Sequence, residues 1–108
     1  MTRNQIGDVV VQKQVTIDPS WSQSFPIGAG LDKFGFGFQI TAGNTENPDM
    51  RSAGSLSWAG IFNTHFWVDP NRKIAVVLMM QVLPFYDDEC MKVYAEFESA
   101  VGRKLRTP

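Results

Sequence analysis

The most constraining feature of this sequence is an apolar run of seven residues, Ile74 to Met80, just after the residues Asp69-Pro70-Asn71-Arg72. Asp first and Pro second are typical of a type I turn. An apolar run without polar alternation predicts a strand covered on both faces, so we place a strand, Lys73 to Gln81, at the centre of a sheet. The run is far shorter than the roughly 20 residues that cross a bilayer.

Three further strands precede this one. The segment FGFGFQIT, residues 34–41, alternates large side chains with Gly35 and Gly37, which predicts one strand with a close neighbour on its glycine face. A polar loop, Ala42 to Asp49, separates it from predicted strands at Ser52 to Ala59 and Asn63 to Val68.

The first third of the chain carries weaker signals. Residues 1–33 are rich in polar residues, Pro and Gly, which predicts a loosely structured segment. Within it, Val9 to Ile17 alternates as a half-buried or edge strand does. At 108 residues, the whole chain, 1–108, is expected to form a single domain.

A helix is predicted at the end of the chain. Asp87-Asp88-Glu89 supplies a cap and negative charge, and Gly102 stands where a C-terminal capping glycine belongs. An apolar stripe recurs at helical spacing at Cys90, Tyr94, Phe97 and Val101. The predicted fold class is therefore α+β, an antiparallel sheet of three to five strands with a C-terminal helix packed on one face.

Composition excludes several functions. With 10 basic and 11 acidic residues, the net charge of −1 predicts no nucleic-acid partner and no membrane surface. One cysteine allows no internal disulfide and no cysteine metal cage, so we expect no metal and no cofactor. The polar start MTRNQIGD does not read as a signal peptide, which makes a cytoplasmic location the default expectation.

Motifs for most chemistries are missing from the sequence. There is no G-x-S-x-G, Walker loop or H-E-x-x-H. The single histidine, His65, is more economically read as a structural or surface residue than as a catalytic one. The single cysteine, Cys90, is more economically read as a small buried hydrophobic residue.

The segments GSLSWAGIFNTHFWVDP and KIAVVLMMQ resemble the C-terminal part of serine β-lactamase-like hydrolases. That group includes class C β-lactamases, D-alanyl-D-alanine peptidases and esterases of the same fold. The resemblance extends through GFGFQI and the final helix, MTRNQIGD resembles the end of a preceding helix, and the match is vaguest from Asp8 to Lys33. It implies a five-stranded antiparallel sheet flanked by helices, with a second helical domain.

The resemblance also implies site residues. Trp58-Ala59-Gly60 matches the family's third motif, K-T-G, with tryptophan in place of lysine as in esterase-like members. In the family one oxyanion-hole N–H comes from the residue after that glycine, here Ile61. A backbone N–H facing a cleft is suited to a developing oxyanion, and a small glycine lets substrate approach.

The other two family motifs are absent. No serine is followed three residues later by lysine, and neither Tyr86 nor Tyr94 begins Y-x-N. Without a nucleophile no acyl-enzyme forms. We therefore expect a fragment or remnant of a serine hydrolase that is inactive alone or needs a complementing partner; the alternative is a non-catalytic binding or oligomerisation module of unknown ligand.

The sequence further predicts self-association. An apolar strand that needs cover on two faces, with one helix available, leaves a patch that monomers rarely expose. We expect a homodimer or larger assembly, with Phe34, Phe36 and Phe38, or the glycine face of their strand, near the interface.

Overall fold

The computed structural model describes residues 1–43 and 47–106. They form a five-stranded antiparallel sheet and one helix, and the strands lie in the sheet in chain order. The elements are β1 Lys33–Phe34, β2 Gln39–Ile40, β3 Leu56–Ala59, β4 His65–Asp69, β5 Ile74–Leu78 and α1 Asp88–Arg106. The predicted α+β fold with a C-terminal helix is confirmed.

The turn between β4 and β5 is organised by the buried side chain of Asp69. Its Oδ1 accepts the N–H of Arg72 at 3.1 Å, and its Oδ2 accepts the N–H of Ser52 at 2.9 Å. One carboxylate thus closes the Asp-Pro turn and also fixes the chain that leads into β3. Charge-assisted bonds of this kind are stronger than neutral ones, so Asp69 holds three strands in register.

Helix α1 covers one face of the sheet. The Asp87 carboxylate accepts the N–H of Cys90 at 3.1 Å, which confirms the predicted N-terminal cap. Tyr94 lies on the buried side of α1, with its ring centroid 6.0 Å from that of Trp67 and 4.5 Å from that of His65. His65 and Trp67 are two positions apart in β4 and therefore lie on the same face of the sheet, which is the face that α1 covers.

A buried ion pair joins this helix to the chain before β3. Arg51 and Glu98 are both buried, and the guanidinium Nε lies 3.2 Å from each Glu98 oxygen. Arg51 also donates to the Tyr94 hydroxyl and stacks on Trp67, 4.7 Å from the ring centroid. The helix stripe was predicted to be apolar; the structure adds Glu98 to it, because Arg51 neutralises that carboxylate.

The N-terminal segment packs against the first two strands without joining the sheet. Gln39 donates to the carbonyl of Ile27 at 2.9 Å and to Asp32 at 2.8 Å, and Val11 N–H donates to the Asp32 carbonyl. The predicted strand from Val9 to Ile17 is wrong: among the described residues its one ladder contact is a bridge from Gln14 to Phe25, and Ile17 is fully exposed. An alternating pattern by itself does not provide the neighbouring strand with which a β-strand must pair.

The start of the chain differs from the resemblance as well. Residues 1–8 contain a turn and no helix, so the helix end predicted for MTRNQIGD is wrong. The backbone there lies against the first hairpin, because a Cβ on Gly35 would meet the Met1 carbonyl oxygen at 2.5 Å. Gly35 thus permits the close approach that its position suggested.

The FGFGFQIT segment forms a hairpin, and the single strand predicted for it is wrong. β1 ends at Phe34 and β2 begins at Gln39, with Gly35 N–H donating to the Phe38 carbonyl at 3.0 Å. Gly35 and Gly37, which were predicted to lie on one face of a strand, instead belong to the turn between β1 and β2. A four-residue turn fits the same alternating pattern, because glycine is common in turns and weakens strands.

β5 is an outer strand of the sheet, and its predicted central position is wrong. It pairs with β4 alone, and its burial alternates, with Ile74, Val76 and Leu78 half-buried and Ala75 and Val77 exposed. The strand is also shorter than predicted, since it ends at Leu78. Its apolar composition exceeds what the described part of this chain can cover.

Gly102 was predicted to cap the end of the helix, but it lies inside the helix. α1 continues through Arg106, and a Cβ on Gly102 would stand 1.9 Å from the carbonyl oxygen of Asp49. The Asp49 carboxylate in turn pairs with Arg106. The glycine is therefore required by the close approach of a neighbouring backbone and not by the end of the helix.

This contact makes a stability prediction. Gly102→Ala improves helix propensity by about 1 kcal/mol, but it forces the Asp49 backbone away at a cost of about 2–3 kcal/mol. We expect a net loss of about 1–2 kcal/mol in urea denaturation. Glu96→Ala, on the exposed side of the same helix, is the control and should change stability by less than about 0.5 kcal/mol. A Gly102→Ala variant as stable as the parent protein would show that the contact is unimportant.

Candidate functional site

The four residues singled out in the sequence lie together in the wall of one cavity. Trp58 and Ala59 end β3, Gly60 and Ile61 follow it, and all four line a cavity of about 250 Å³. Trp58 is paired with Phe66 across β3 and β4, and Ala59 with His65, so the position of this segment is set by the sheet register. The cavity thus lies at the end of a strand, where the chain turns.

The opposite walls come from two segments distant in sequence. They contribute Gln14, Ser22, Phe25 and Phe85. Gln14 and Phe25 exchange backbone bonds of 3.0 and 2.9 Å, and Ser22 bridges to Phe85. Phe25 packs edge-on to Trp58, with ring centroids 6.2 Å apart. None of these lining side chains is charged, so the cavity favours uncharged groups.

The N–H of Ile61, a residue of the cavity wall just after β3, has no acceptor in the described residues. Gly60 N–H donates to Thr64 at 2.8 Å, and Asn63 N–H donates back to the Gly60 carbonyl at 3.0 Å. In this arrangement Ile61 is the second residue of a four-residue turn, whose N–H takes no part in the turn bond. Within residues 1–43 and 47–106, no protein acceptor is bonded to the Ile61 N–H.

Asn63 locks this turn to the chain before the helix. It adopts a left-handed backbone, φ 68°, that asparagine tolerates better than most residues. Its buried amide donates to the carbonyls of Val82 at 2.8 Å and Pro84 at 2.9 Å and accepts the Tyr86 N–H at 2.8 Å. Sequence reasoning missed this residue, which was placed at the start of a strand.

His65 lies behind the cavity and does not line it. Its ring is 2% exposed and stacks on Phe85, with centroids 6.0 Å apart. Burial and the nearby positive charge of Arg51 lower the pKa of His65 to about 4. The imidazole is therefore neutral near pH 7 and acts as a packing group under one wall, in keeping with the structural role favoured above.

The remaining titratable candidates are explained by packing. Cys90 is buried on α1, and burial, with the neighbouring acidic groups, raises the pKa of its thiol. In the described residues, no group of three His, Cys, Asp or Glu side chains is placed to hold a metal ion. None of the helices in that part of the chain is long and apolar enough to cross a membrane.

Comparison with known sequences identifies the family. The β-lactamase family model matches residues 1–100. The chain therefore belongs to the β-lactamase family, and the predicted family resemblance is confirmed. No curated protein shows a match to the chain.

Solved structures give the same fold. Simvastatin synthase LovD from Aspergillus terreus, in its LovD9 mutant, is similar with a TM-score of 0.69 and 22% identity over 74% of this chain. The unliganded selenomethionyl LovD gives a TM-score of 0.66 and 25% identity over 71% of this chain. The matches cover 20% and 19% of those two chains, so this chain spans about a fifth of their length.

His65 makes the stability depend on pH. Since its pKa is about 4 when folded and about 6.5 when unfolded, the unfolded state binds the extra proton between these values. Its contribution is fully present above pH 6.5 and is lost as the pH falls through 4, by roughly 3 kcal/mol in total.

The measurement is urea denaturation at several pH values between 7 and 4. His65→Phe keeps an aromatic ring against Phe85 and Tyr94 but cannot titrate, so its stability should fall less steeply over that range. Parallel pH curves for the two proteins would contradict the assignment of a depressed pKa to His65.

Proposed function

We propose that this chain forms one wall of the acyl-binding cleft of a β-lactamase-family serine hydrolase or acyltransferase and has no turnover alone. The observation that supports this is the meeting of Trp58, Ala59, Gly60 and Ile61 around an apolar cavity of about 250 Å³. Neither S-x-x-K nor Y-x-N occurs in the sequence. The nucleophile and its base are supplied by another polypeptide segment.

The chemical role within this wall belongs to the Ile61 N–H. Ile61 lines the cavity, and its N–H is bonded to no acceptor in the described residues. A fixed donor with no partner needs no reorganisation when an acyl carbonyl becomes an oxyanion. Asn63 keeps the donor in place, because its three bonds hold the turn against residues 82–86.

The walls favour a neutral acyl group. Trp58 occupies the motif position where the family has lysine, so this side of the cavity has no ammonium to attract a carboxylate. Phe25, Phe85 and Trp58 instead present aromatic surface. The substrate class is therefore an uncharged ester with a small apolar acyl group.

The first prediction from this proposal concerns turnover. Without a serine–lysine pair we expect no hydrolysis of p-nitrophenyl butyrate above the buffer rate and no labelling by a fluorophosphonate. The measurement uses purified chain, with a mock purification from cells lacking the gene as control. Turnover or labelling that follows the protein through two different columns would contradict the proposal.

The second prediction concerns binding. In amide NMR titrations, ethyl butyrate should shift Ala59, Ile61 and Phe62 with a millimolar dissociation constant, as expected for a ligand of this size. The butyrate anion should bind at least about fivefold more weakly, because its charge would be buried without a partner.

A matched pair of glycine variants tests the location. A Cβ on Gly60 meets nothing closer than 3.9 Å, so Gly60→Ala should fold normally and yet reduce ester binding. Gly37→Ala, which meets only the end of the Met1 side chain, should leave binding unchanged. Ester-induced shifts confined to another surface would favour the non-catalytic module instead.

A further inference from the structure

A second cavity, of about 300 Å³, lies between helix α1 and the segment that precedes β1. Its walls come from several separate parts of this chain, and they share no residue with the cavity at Trp58. Two of the lining residues, Leu31 and Ala95, are exposed, so the cavity is open to solvent. A molecule in this space would be held by contacts that the chain itself provides.

The wall of this cavity contains a buried carboxylate without a cationic partner. Asp32 is 7% exposed and lines the cavity. Its two oxygens accept neutral donors, the Ala42 N–H at 2.9 Å and the Gln39 amide at 2.8 Å. The guanidinium of Arg51, in the same wall, is paired with Glu98 instead. Since buried charges in proteins are normally paired with an opposite charge, Asp32 has room for a cation.

A second buried acceptor beside Asp32 also has no donor. The side chain of Gln39 is 1% exposed, and its amide nitrogen donates to the Ile27 carbonyl at 2.9 Å as well as to Asp32. Its Oε1 is bonded to no donor in residues 1–43 or 47–106. Buried polar atoms in native proteins almost always have a partner, in the protein or in something bound to it. The wall around Asp32 is therefore rich in acceptors and short of donors.

Gly28 makes the position of the carboxylate possible. It adopts a left-handed backbone, φ 73°, and a Cβ there would stand 2.1 Å from Oδ2 of Asp32. The same Cβ would lie 2.4 Å from the amide nitrogen of Gln39. Any other residue at this position would displace both groups, so the local chain geometry is built around the carboxylate.

We propose that this cavity binds a primary ammonium group on a small apolar stem, with the Asp32 carboxylate as its partner. An ammonium has three donors and no acceptor, which matches a wall that is short of donors. Its bond to a carboxylate is charge-assisted and is therefore stronger than a bond between neutral groups. The stem would be covered by the apolar lining side chains of Ile27, Leu31, Met50 and Met91.

The test is an amide NMR titration of the purified chain at pH 7 with amines and with matched uncharged and anionic compounds. Cyclohexylamine should shift the amides of residues 27–32 and 94–98 with a millimolar dissociation constant, as expected for a ligand of this size. Cyclohexanol should bind at least about tenfold more weakly, because it lacks the charge. Cyclohexanecarboxylate should not shift these amides, since its charge would be repelled by Asp32.

A free amine and a lysine side chain from another segment share the proposed chemistry, and a linear amine distinguishes them. n-Butylamine has the shape of a lysine side chain. If it binds at least as tightly as cyclohexylamine, the site is one for lysine. Tighter binding of the cyclic compound assigns the site to a free amine, because a wider stem fills more of the apolar wall.

Two variants test the location and the role of the charge. Asp32→Asn keeps an oxygen for the Ala42 N–H but removes the charge, so the preference for cyclohexylamine over cyclohexanol should fall below about twofold. Ala95→Trp fills the cavity from α1 without touching the bonds of Asp32, and it should abolish binding. Ala100→Trp is the matched control, because Ala100 is also exposed on α1 but does not line the cavity.

Circular dichroism checks that the three variants are folded. Equal affinities for cyclohexylamine and cyclohexanol in the unmodified protein would overturn the proposal without reference to any variant. An unchanged preference for the amine in Asp32→Asn, or binding that survives Ala95→Trp, would overturn it as well. Shifts confined to residues 58–61 would assign the amine to the other cavity and would also contradict the proposal.

Discussion

The buried guanidinium of Arg51 is the interaction on which the rest of the structure depends. It pairs with Glu98, donates to the Tyr94 hydroxyl and stacks on Trp67. Those partners belong to α1 and to β4, and Arg51 itself lies in the chain that enters β3. Removing one member of a buried pair leaves an uncompensated charge and costs about 3–5 kcal/mol. A single side chain therefore fixes the helix against the sheet.

The candidate site rests on the same interaction through a short series of contacts. Tyr94, which Arg51 bonds, packs on His65, and His65 stacks on Phe85, a wall of the cavity. The charge of Arg51 also helps to keep His65 neutral. Asn63 completes the arrangement by bonding the turn after β3 to residues 82–86. The cavity wall is thus supported from behind by packing and from the side by hydrogen bonds.

Local signals in the sequence predicted the parts that local chemistry decides. The Asp87 cap and the Asp69 turn were found, because each depends on residues within a few positions. The W-A-G segment was singled out by its family resemblance, and it lies in the wall of a cavity. The partners of Arg51 and Asn63 were not found, since they lie 47 and 19 to 23 positions away. The alternation in FGFGFQIT fits a strand and a hairpin equally well. Only the pairing of Gly35 with Phe38 separates the two.

The error at β5 has a different physical origin. Its apolar run was read as the composition of a strand covered on both faces and therefore central in the sheet, whereas in the described residues it pairs with β4 alone. The cavity wall, in contrast, has its partners within the chain. The turn from Gly60 to Thr64 and the segment from Val82 to Tyr86 are hydrogen-bonded to each other. The binding geometry is therefore built from contacts inside the chain. The apolar surface that the described chain leaves exposed lies at β5, which β4 separates from the strand that ends at the cavity.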